Sequence, residues 1–370
     1  MQRGEDMARG AMVRGLALVL AAAVMLSLVP ARPLGREPVP RRMPPAPSSL
    51  TVAAVGDVML SRGLTNATRR HGPDYPFAVL GARLAAADLA MANLESPLAD
   101  CGSPLPGKAI CFRARPELVG ALQRAGFDVL SLANNHSLDY DWPALEQTLT
   151  LLAAHGVHSV GAGRDLRQAR RPVILERQGI KVGILAYTDF ADLYYDSRYP
   201  RRFQATADLP GVAPLVLAEA CADVVALRAR VDLLVVSLHW GVEYSPRPTA
   251  DQRQAAHALA AAGADLVLGH HPHVVQGVEV YGRTVIAYSL GNFVFDQVHP
   301  EETRYGLLLE ASADRQGVRS VCLLPVYLTH GQPAPTPEAR QLLPRLAALS
   351  AELGTPLCVQ GDRACWSAPR

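Results

Sequence analysis

Short apolar runs that end abruptly in polar residues recur along this chain and predict a series of buried strands. Six of the runs end at a residue whose side chain can bind a metal ion or shape a polar site: Asp57, Glu95, His136, His239, His273 and Asn292. Open α/β sheets bind their ligands beyond the carboxyl ends of the strands. The pattern therefore predicts that these strand ends meet at one site.

The order of the predicted elements indicates an α/β protein in which two sheets pack together with helices outside. Up to about residue 269, apolar runs alternate with helical patterns, apart from a hairpin around Gly179. From residue 277 to residue 327, the pattern consists of strands with turns at Gly282 and Gly317. Strands are predicted at 50–56, 88–93, 127–132, 157–161, 172–177, 181–187, 232–238 and 265–269. Helices are predicted at 115–125, 141–155, 212–230, 250–263 and 338–353.

The N-terminal segment has the features of an export signal. Arg14 precedes an uncharged run from Gly15 to Val29, and the small residue Ala31 follows at a position suited to cleavage. The protein is therefore expected outside the cytoplasm, in the periplasm or at the cell surface. The predicted organisation is a signal peptide or uncleaved anchor at 1–31, a Pro-rich linker at 32–49, the main domain at 50–330 and a C-terminal extension at 331–370.

Composition and charge exclude a disordered protein and argue against a nucleic-acid partner. The chain is 49% hydrophobic and 19% charged, as expected for a packed globular domain. Its net charge is +2, but residues 1–49 carry seven arginines against three acids, which leaves the remainder at −2. Binding to a phosphate backbone requires a basic surface, which this slightly acidic body does not supply.

Export would place the six cysteines in an oxidising compartment. Two pairs bracket short loops and are each expected to close a local disulfide: Cys101 with Cys111, and Cys358 with Cys365. Cys221 and Cys322 lie in predicted apolar elements and are expected to be buried thiols. The chain has no paired C-x-x-C spacing, which argues against a cysteine metal site.

The segment Gly269–Val275, GHHPHVV, carries the densest group of candidate metal ligands. His271 and His273 are two residues apart, and in an extended chain their side chains point to the same side. His270 is then expected to face the other way, in a supporting or structural role. His239, at the end of another strand, would supply a third imidazole. The alternatives are an incidental histidine-rich turn and a buried core histidine.

Oxygen ligands are predicted at the ends of the earlier strands. Asp57, Glu95 and the amide oxygen of Asn135 can bind a cation, while His136 can donate a proton to a leaving group. Helix capping by the carboxylates and an Asx turn around Asn135 are the alternatives. Carboxylate, amide and imidazole ligands together suit Mn²⁺, Zn²⁺ or Fe, as one ion or two.

Six motifs follow one another along the folded region: GDVMLSR, NLE, ANNHSLDY, HWGVEY, GHHPHVVQ and YSLGNFVFD. In order and spacing they resemble the motifs of the CapA family of capsule (poly-gamma-glutamate) synthesis proteins. The resemblance covers about residues 50–328 and implies a four-layer α/β/β/α sandwich of the calcineurin-like metallophosphoesterase type. It implies general-acid catalysis by His136 and metal ligation by Asp57, Glu95, Asn135, His239, His271 and His273.

Two positions depart from the phosphoesterase pattern. Met59 stands where a histidine is usual, and Glu95 stands where an aspartate is usual. The loss of an imidazole at residue 59 weakens the first metal position, which leaves either a single strongly bound ion or a second ion bound loosely. Five further residues in family-like segments are expected to bind an anionic substrate, with surface salt bridges and turns as the alternative: Arg62, Lys108, Arg113, Glu243 and Asn292.

These residues support two hypotheses of function. The first is an exported, metal-dependent hydrolase or transferase of capsule or poly-gamma-glutamate synthesis that acts on an anionic cell-surface polymer or its precursor. The second is a non-catalytic component that binds the polymer or organises a membrane-associated polyglutamate synthase. Asn135 and His136 favour the first hypothesis, and Met59 favours the second. A serine hydrolase is set aside because the chain has no G-x-S-x-G motif.

Overall fold

Two sheets account for most of the strands that the computed structural model describes over residues 49–192 and 203–369. The strands are β1 (Leu50–Val58), β2 (Leu89–Leu94), β3 (Val129–Ser131), β4 (His158–Val160), β5 (Ala162–Gly163), β6 (Val173–Arg177), β7 (Ile180–Thr188), β8 (Gly211–Val212), β9 (Leu233–His239), β10 (Leu266–His270), β11 (Val278–Tyr281), β12 (Thr284–Ala287), β13 (Asn292–Val294), β14 (Tyr305–Asp314), β15 (Gly317–Thr329), β16 (Gln332–Ala334), β17 (Cys358–Gln360) and β18 (Arg363–Ser367). The helices are α1 (Gly63–His71), α2 (Gly81–Ala85), α3 (Val119–Arg124), α4 (Asp141–Ala154), α5 (Leu166–Ala169), α6 (Leu217–Arg228), α7 (Ala250–Ala262), α8 (Pro337–Arg340) and α9 (Leu342–Glu352).

Each sheet has a parallel part that explains the alternation of strands and helices. The larger sheet has the order β17-β18-β15-β14-β1-β2-β3-β4, with β13 also paired to β1 and β16 to β15. Its strands β1 to β4 run parallel, whereas β14 and β15 are antiparallel. The smaller sheet has the order β11-β12-β10-β9-β7-β6, with β12, β10, β9 and β7 parallel. Parallel neighbours require crossover connections, which several of the helices supply.

Alternating side chains along the strands separate three hydrophobic cores, which define four layers. Between the two sheets lie Val52 of β1 and Leu233 of β9. On the outer side of the larger sheet, Val55 of β1 belongs to a core that includes residues of α3 and α4. On the outer side of the smaller sheet, Leu234 of β9 belongs to a core with residues of α6 and α7. The layers are therefore α/β/β/α, and the predicted fold class is confirmed.

The C-terminal residues contribute to both the larger sheet and the core between the sheets. Strand β18 pairs with β15 and extends the larger sheet to β17. Helix α9 places Leu342, Leu343 and Leu346 in the core between the two sheets. Residues 331–369 therefore pack as part of the sandwich, and the segment from Cys358 to Cys365 forms a hairpin where a loop was expected.

Three predicted helices differ from the observed ones, and the helix predicted at 115–125 is α-helical only over Val119–Arg124. The helix predicted at 212–230 begins only at Leu217, because the preceding backbone bonds to other elements. Ala213 N donates to Gly161 O at 2.9 Å, and Leu215 N donates to Thr188 O at 2.8 Å. The helix predicted at 338–353 is divided into α8 and α9, which meet at Gln341.

A single disulfide joins Cys322 of β15 to Cys365 of β18 within the described residues. The predicted bridge between Cys358 and Cys365 is therefore wrong, as is the expectation that Cys322 is a thiol. Cys365 pairs in register with Cys358 on one side and with Cys322 on the other. Cys358 and Cys322 are thus both neighbours of Cys365. Only the pairing of β18 with β15, which are distant in the chain, brings Cys322 to this position.

The other predicted bridge, between Cys101 and Cys111, is also wrong. Both residues are thiols that contact polar groups on different elements. Cys101 Sγ lies 3.0 Å from the side-chain oxygen of Gln147 in α4, and Cys111 Sγ lies 3.7 Å from the carbonyl oxygen of Lys108. Cys221 is a thiol, as expected, and is half-buried.

The predicted signal peptide or anchor, and the linker up to residue 48, lie outside the described residues. The described part of the chain, 49–192 and 203–369, contains no helix with the length and apolar composition needed to cross a bilayer.

We expect the double variant Cys322→Ser/Cys365→Ser to be less stable than the unmodified protein. The bond joins residues separated by 43 positions, and the chain entropy of such a loop corresponds to about 4 kcal/mol of unfolding free energy. Chemical denaturation of the non-reduced full-length protein measures the difference. The matched control is Cys358→Ser, which removes a neighbouring thiol and should leave the midpoint unchanged. Equal destabilisation by the control would show that Cys358 is the true partner.

Candidate metal centre

Polar side chains at strand ends of both sheets meet at one edge of the sandwich. The larger sheet contributes Asp57, near the end of β1, and Glu95, directly after β2. The smaller sheet contributes His239, the last residue of β9, and the segment His270–His273 at and beyond the end of β10. These side chains are all buried. The structure thus brings the predicted strand ends together, with ligands supplied from both sheets.

Gly56 permits the close backbone approach that positions Asp57. A Cβ atom at Gly56 would lie 1.9 Å from the carbonyl oxygen of Gly291, which no side chain can tolerate. Because glycine lacks this atom, Asp57 N donates to Gly291 O at 3.0 Å. Asp57 consequently pairs in register with Asn292 between β1 and β13. The glycine of the first motif therefore sets the position of the first carboxylate.

Glu95 is a fully buried carboxylate whose oxygens accept no hydrogen bond from any residue within 49–192 and 203–369. Its Oε1 atom lies 3.8 Å from His239 Nε2, 3.8 Å from His273 Nε2 and 4.0 Å from His136 Nε2. These distances are too long for hydrogen bonds. The two separations of 3.8 Å suit ligands of one ion, since two atoms each about 2.1 Å from a metal lie at most about 4 Å apart.

Two groups of residues are close enough to hold a cation. Asp57, Glu95 and His273 each offer an atom within 4.8 Å of the others, and all three are buried. Glu243, His271 and His273 form a second group with the same spacing, in which Glu243 is exposed. The buried cluster could therefore hold a metal ion, and its orphaned Glu95 carboxylate fits such an ion.

Asp57 and Glu95 have opposite pKa shifts because only one of them has polar partners. Burial would raise the pKa of Asp57, but hydrogen bonds and charge from His270 and His273 hold it well below its ordinary value. Asn93 Nδ2 also donates to Asp57 Oδ1 at 2.8 Å. Burial and the charge of Asp57 raise the pKa of Glu95 well above its ordinary value. A cation beside Glu95 would stabilise its ionised form and lower this pKa.

The histidines of the cluster differ in the charge that their surroundings favour. Burial opposes the charged form of His273, but Glu95 and Asp57 outweigh it and raise the pKa of His273 to about 9. Burial and neighbouring His273 lower the pKa of His271 to about 3. Burial also lowers the pKa of His239. Two neutral imidazoles, the form that binds metals, therefore face two carboxylates.

The segment His270–His273 is bent, so the argument from an extended chain is wrong. His271 has a φ of 93° and His273 a φ of 56°, both in the left-handed region. The bends bring the two rings to a centroid separation of 5.9 Å. His270 Nδ1 lies 3.4 Å from Asp57 Oδ1, so the prediction that this side chain faces away from the cluster is wrong, although its contact with Asp57 fits a supporting role. The two histidines share a site because the backbone turns at each of them.

Amide side chains tie the ends of β2 and β3 to the histidine of β9. His239 Nε2 donates to Asn135 Oδ1 at 2.9 Å, which holds these two candidate ligands side by side. Asn93 Nδ2 donates to His239 Nδ1 at 3.2 Å. Asn134 Nδ2 donates to Asn93 Oδ1 at 3.0 Å and to Leu94 O at 2.9 Å. Asn135 therefore lies at the cluster. Asn134 and Asn93 link the ends of β2 and β3 to His239 beside it.

His136 is held so that its Nε2 atom faces the cluster. Its Nδ1 atom donates to Asp139 Oδ2 at 2.6 Å, and the Phe112 ring stacks on it at 4.0 Å. Lys108 forms an ion pair with Asp139 and donates to the carbonyl oxygen of Asn135. Burial lowers the pKa of His136 to about 4, although Asp139 opposes this shift.

Two of the five predicted substrate residues lie at the mouth of the cluster. Arg62 is 39% exposed and forms an ion pair with Asp296. Its guanidinium lies 4.7 Å from the Phe112 ring and 5.6 Å from the Phe295 ring. Glu243 is exposed beside His271 and His273. Both are accessible to an approaching ligand.

The other three predicted substrate residues have structural partners. Lys108 is buried against Asp139. Asn292 is also buried, and its Oδ1 atom lies 2.9 Å from His273 Nδ1, so it orients that imidazole. Arg113 donates to the carbonyl oxygen of Cys101 at 3.1 Å and lies over the Tyr140 ring.

Sequence reasoning missed Asp139 and two of the phenylalanines that pack on histidines of the site, Phe112 and Phe190. Asp139 follows His136 by three residues, and this spacing in a turn was the available signal. Phe112 contacts His136, and Phe190 lies 4.0 Å from the His271 ring centroid. Neither phenylalanine carries a sequence signal, because each comes from a loop distant in the chain.

Comparison with known proteins agrees with this arrangement of motifs. The family model described as "Bacterial capsule synthesis protein PGA_cap" matches residues 51–297. The chain belongs to this family. It is 33% identical over 288 residues to "PGA biosynthesis protein CapA" of Bacillus subtilis (strain 168), covering 77% of this chain and 73% of the relative. It is 34% identical over 297 residues to "Capsule biosynthesis protein CapA" of Bacillus anthracis, covering 78% and 70%. The resemblance to the CapA family is thereby confirmed.

Solved structures show more distant similarity. A 5'-nucleotidase from Candida albicans aligns with a TM-score of 0.43 and 13% identity, covering 82% of this chain and 58% of that one. A hypothetical protein from Thermus thermophilus aligns with a TM-score of 0.42 and 16% identity, covering 86% and 100%.

We expect Glu95→Gln to lower the affinity of the full-length protein for Mn²⁺ or Zn²⁺ by at least about tenfold, because a charged oxygen ligand is lost. Titration calorimetry and elemental analysis after metal loading measure this change. The matched control is Glu279→Gln. It neutralises a buried carboxylate that contacts Tyr288 and His257, away from the cluster. Absence of metal from the unmodified protein after loading would contradict the site.

Proposed function

We propose that this member of the capsule synthesis family is an exported, metal-dependent hydrolase or transferase that acts on an anionic cell-surface polymer or its precursor. The observation that carries the proposal is the placement of His136. Its Nε2 atom faces the buried ligand cluster at 4.0 Å from Glu95, while Asp139 holds the opposite ring nitrogen. A proton donor held beside a metal site is the arrangement that hydrolytic cleavage requires.

The residues that would hold the metal are Asp57, Glu95, Asn135, His239, His271 and His273. Their oxygen and imidazole ligands suit Mn²⁺, Zn²⁺ or Fe, as one ion or two. A bound divalent ion supplies Lewis-acid charge, which activates water and neutralises charge on a phosphoryl or carbonyl oxygen.

His136 would transfer a proton between its Nε2 atom and the leaving group. Asp139 accepts from Nδ1 and fixes the ring, while Lys108 holds the Asp139 carboxylate in place. The pKa of His136 is about 4 in the surroundings described here, so the imidazole is neutral at neutral pH. A negatively charged substrate would raise this pKa and favour protonation of Nε2, because opposite charge stabilises the imidazolium.

Three observations support an anionic polymer as the substrate class. The relatives named for capsule and PGA biosynthesis belong to the same family. Arg62 places a partly exposed guanidinium at the mouth of the cluster. The N-terminal sequence has the pattern of an export signal, which would place the site where surface polymers are made. Association with subunits of a membrane synthase is part of the proposal.

A second candidate function is a non-catalytic, polymer-binding component of the synthesis machinery, and Met59 favours it. Met59 is fully buried in the outer core of the larger sheet, and its sulfur accepts hydrogen bonds from Ser61 N and Ser61 Oγ, both at 3.1 Å. The side chain is thus occupied in packing and supplies no imidazole. A protein of this kind would bind metal and polymer without turnover.

We expect His136→Ala to lower the rate of cleavage by about 10²–10⁴-fold and to leave the metal content unchanged, because His136 transfers the proton without being required to bind the ion. Product release from phosphodiester, phosphomonoester and gamma-glutamyl substrates measures the rate, and elemental analysis measures the metal. The matched control is His257→Ala. It removes an imidazole that pairs with Glu279 at 3.0 Å in the unmodified protein. An unchanged rate of cleavage in His136→Ala would contradict the proton-transfer role. No turnover of any substrate by metal-loaded, unmodified protein would favour the non-catalytic candidate.

A further inference from the structure

A cavity of about 720 Å³ lies along helix α1, beside the metal centre. One wall is the face of α1 formed by Gly63, Asn66, Ala67 and Arg70, which recur at helical spacing. The facing walls come from the segment 296–304 after β13 and from the turn 329–331 between β15 and β16. The cavity is therefore a groove between helix α1 and two connecting segments of the larger sheet.

Contacts of Arg62 connect the groove to the candidate metal centre. Asp296 lines the groove and also binds Arg62. The Arg62 guanidinium in turn covers Phe112 and Phe295, the two rings that pack on His136 and His273. A chain that leaves the metal centre past Arg62 would thus enter this groove.

Arg70 lies at the far end of the groove from the metal centre. Gly63 and Arg70 are seven residues apart on α1, and at 1.5 Å per residue their separation along the helix is about 10 Å. A ligand confined to the metal centre would not extend to Arg70. Only an elongated ligand would contact both the metal centre and Arg70.

The groove is lined by two arginines, Arg70 and Arg304, and by two carboxylates, Asp296 and Glu301. Its carboxylates are already paired, Asp296 with Arg62 and Glu301 with Arg304 at 3.7 Å. In the part of the chain that the structure describes, no carboxylate lies within ion-pair distance of Arg70. Three imidazoles line the same groove and add hydrogen-bonding groups: His71, His299 and His330.

We infer that this groove is a binding subsite for the part of an anionic polymer chain that extends beyond the bond at the metal centre. The ligand class is a polycarboxylate chain, whose repeated negative groups match the Arg70 guanidinium and the histidines. The inference rests on the proposed function, since it extends the same substrate along α1. It makes Arg70 a residue that determines preference for long chains over short ones.

The test is a binding measurement that needs no turnover. Fluorescence anisotropy is recorded for a labelled gamma-linked glutamate dimer and a labelled decamer, with metal-loaded, full-length protein in the His136→Ala background. Arg70→Glu is compared with Arg69→Glu, a neighbouring exposed arginine that does not line the groove. Arg70→Glu should raise the Kd of the decamer about fivefold, and that of the dimer less than about twofold. Arg69→Glu should change both by less than about twofold.

Three outcomes would overturn the subsite: equal effects of the two variants on the decamer, equal effects of Arg70→Glu on dimer and decamer, or no binding of the decamer. A polyphosphate chain of equal length is the comparator. If only polyphosphate binding depends on Arg70, the polycarboxylate class is wrong. If decamer binding depends on Arg70 while the unmodified protein cleaves no substrate, the subsite stands and the proposed hydrolase fails.

Discussion

Two carboxylates, Asp57 and Glu95, lie fully buried at the ends of adjacent parallel strands, and the site around them is arranged to neutralise their charge. Burying an ionised group without a partner is very unfavourable. Asn93 donates a hydrogen bond to Asp57, and nitrogens of His270 and His273 lie 3.4 Å from its carboxylate oxygens. Glu95 instead faces three imidazole nitrogens at distances too long for hydrogen bonds. A shared cation is the partner that this geometry fits, and the rest of the site follows from that need.

The site depends on the packing of the two sheets against each other. The larger sheet and its loops carry Asp57, Glu95, Asn135 and His136, whereas the smaller sheet carries His239 and the histidine segment after β10. Neither sheet holds the whole cluster. The apolar core between the sheets therefore contributes to function as well as stability, because it fixes the distance between the two halves of the cluster.

The order of buried runs and polar residues predicted much of this arrangement. Strand ends at Asp57, Glu95 and His239 are local features, since an apolar run followed by a polar side chain marks the end of a buried strand. The same periodicity predicted two packed sheets with helices outside, and the resemblance of the motifs implied the four-layer arrangement. The bends at His271 and His273 were not predictable in this way, because positive φ at non-glycine residues depends on surrounding contacts.

By itself, the sequence determined the fold class, the family and the types of ligand, because these depend on local periodicity and on motifs. The tertiary structure decided which groups meet across long separations in the chain. It paired Cys365 with Cys322 in place of the nearer Cys358. It also turned Asn292 towards His273 and placed Arg62 on Phe112. Such contacts depend on the register of distant strands and on loop packing, for which no local pattern in the chain provides a signal.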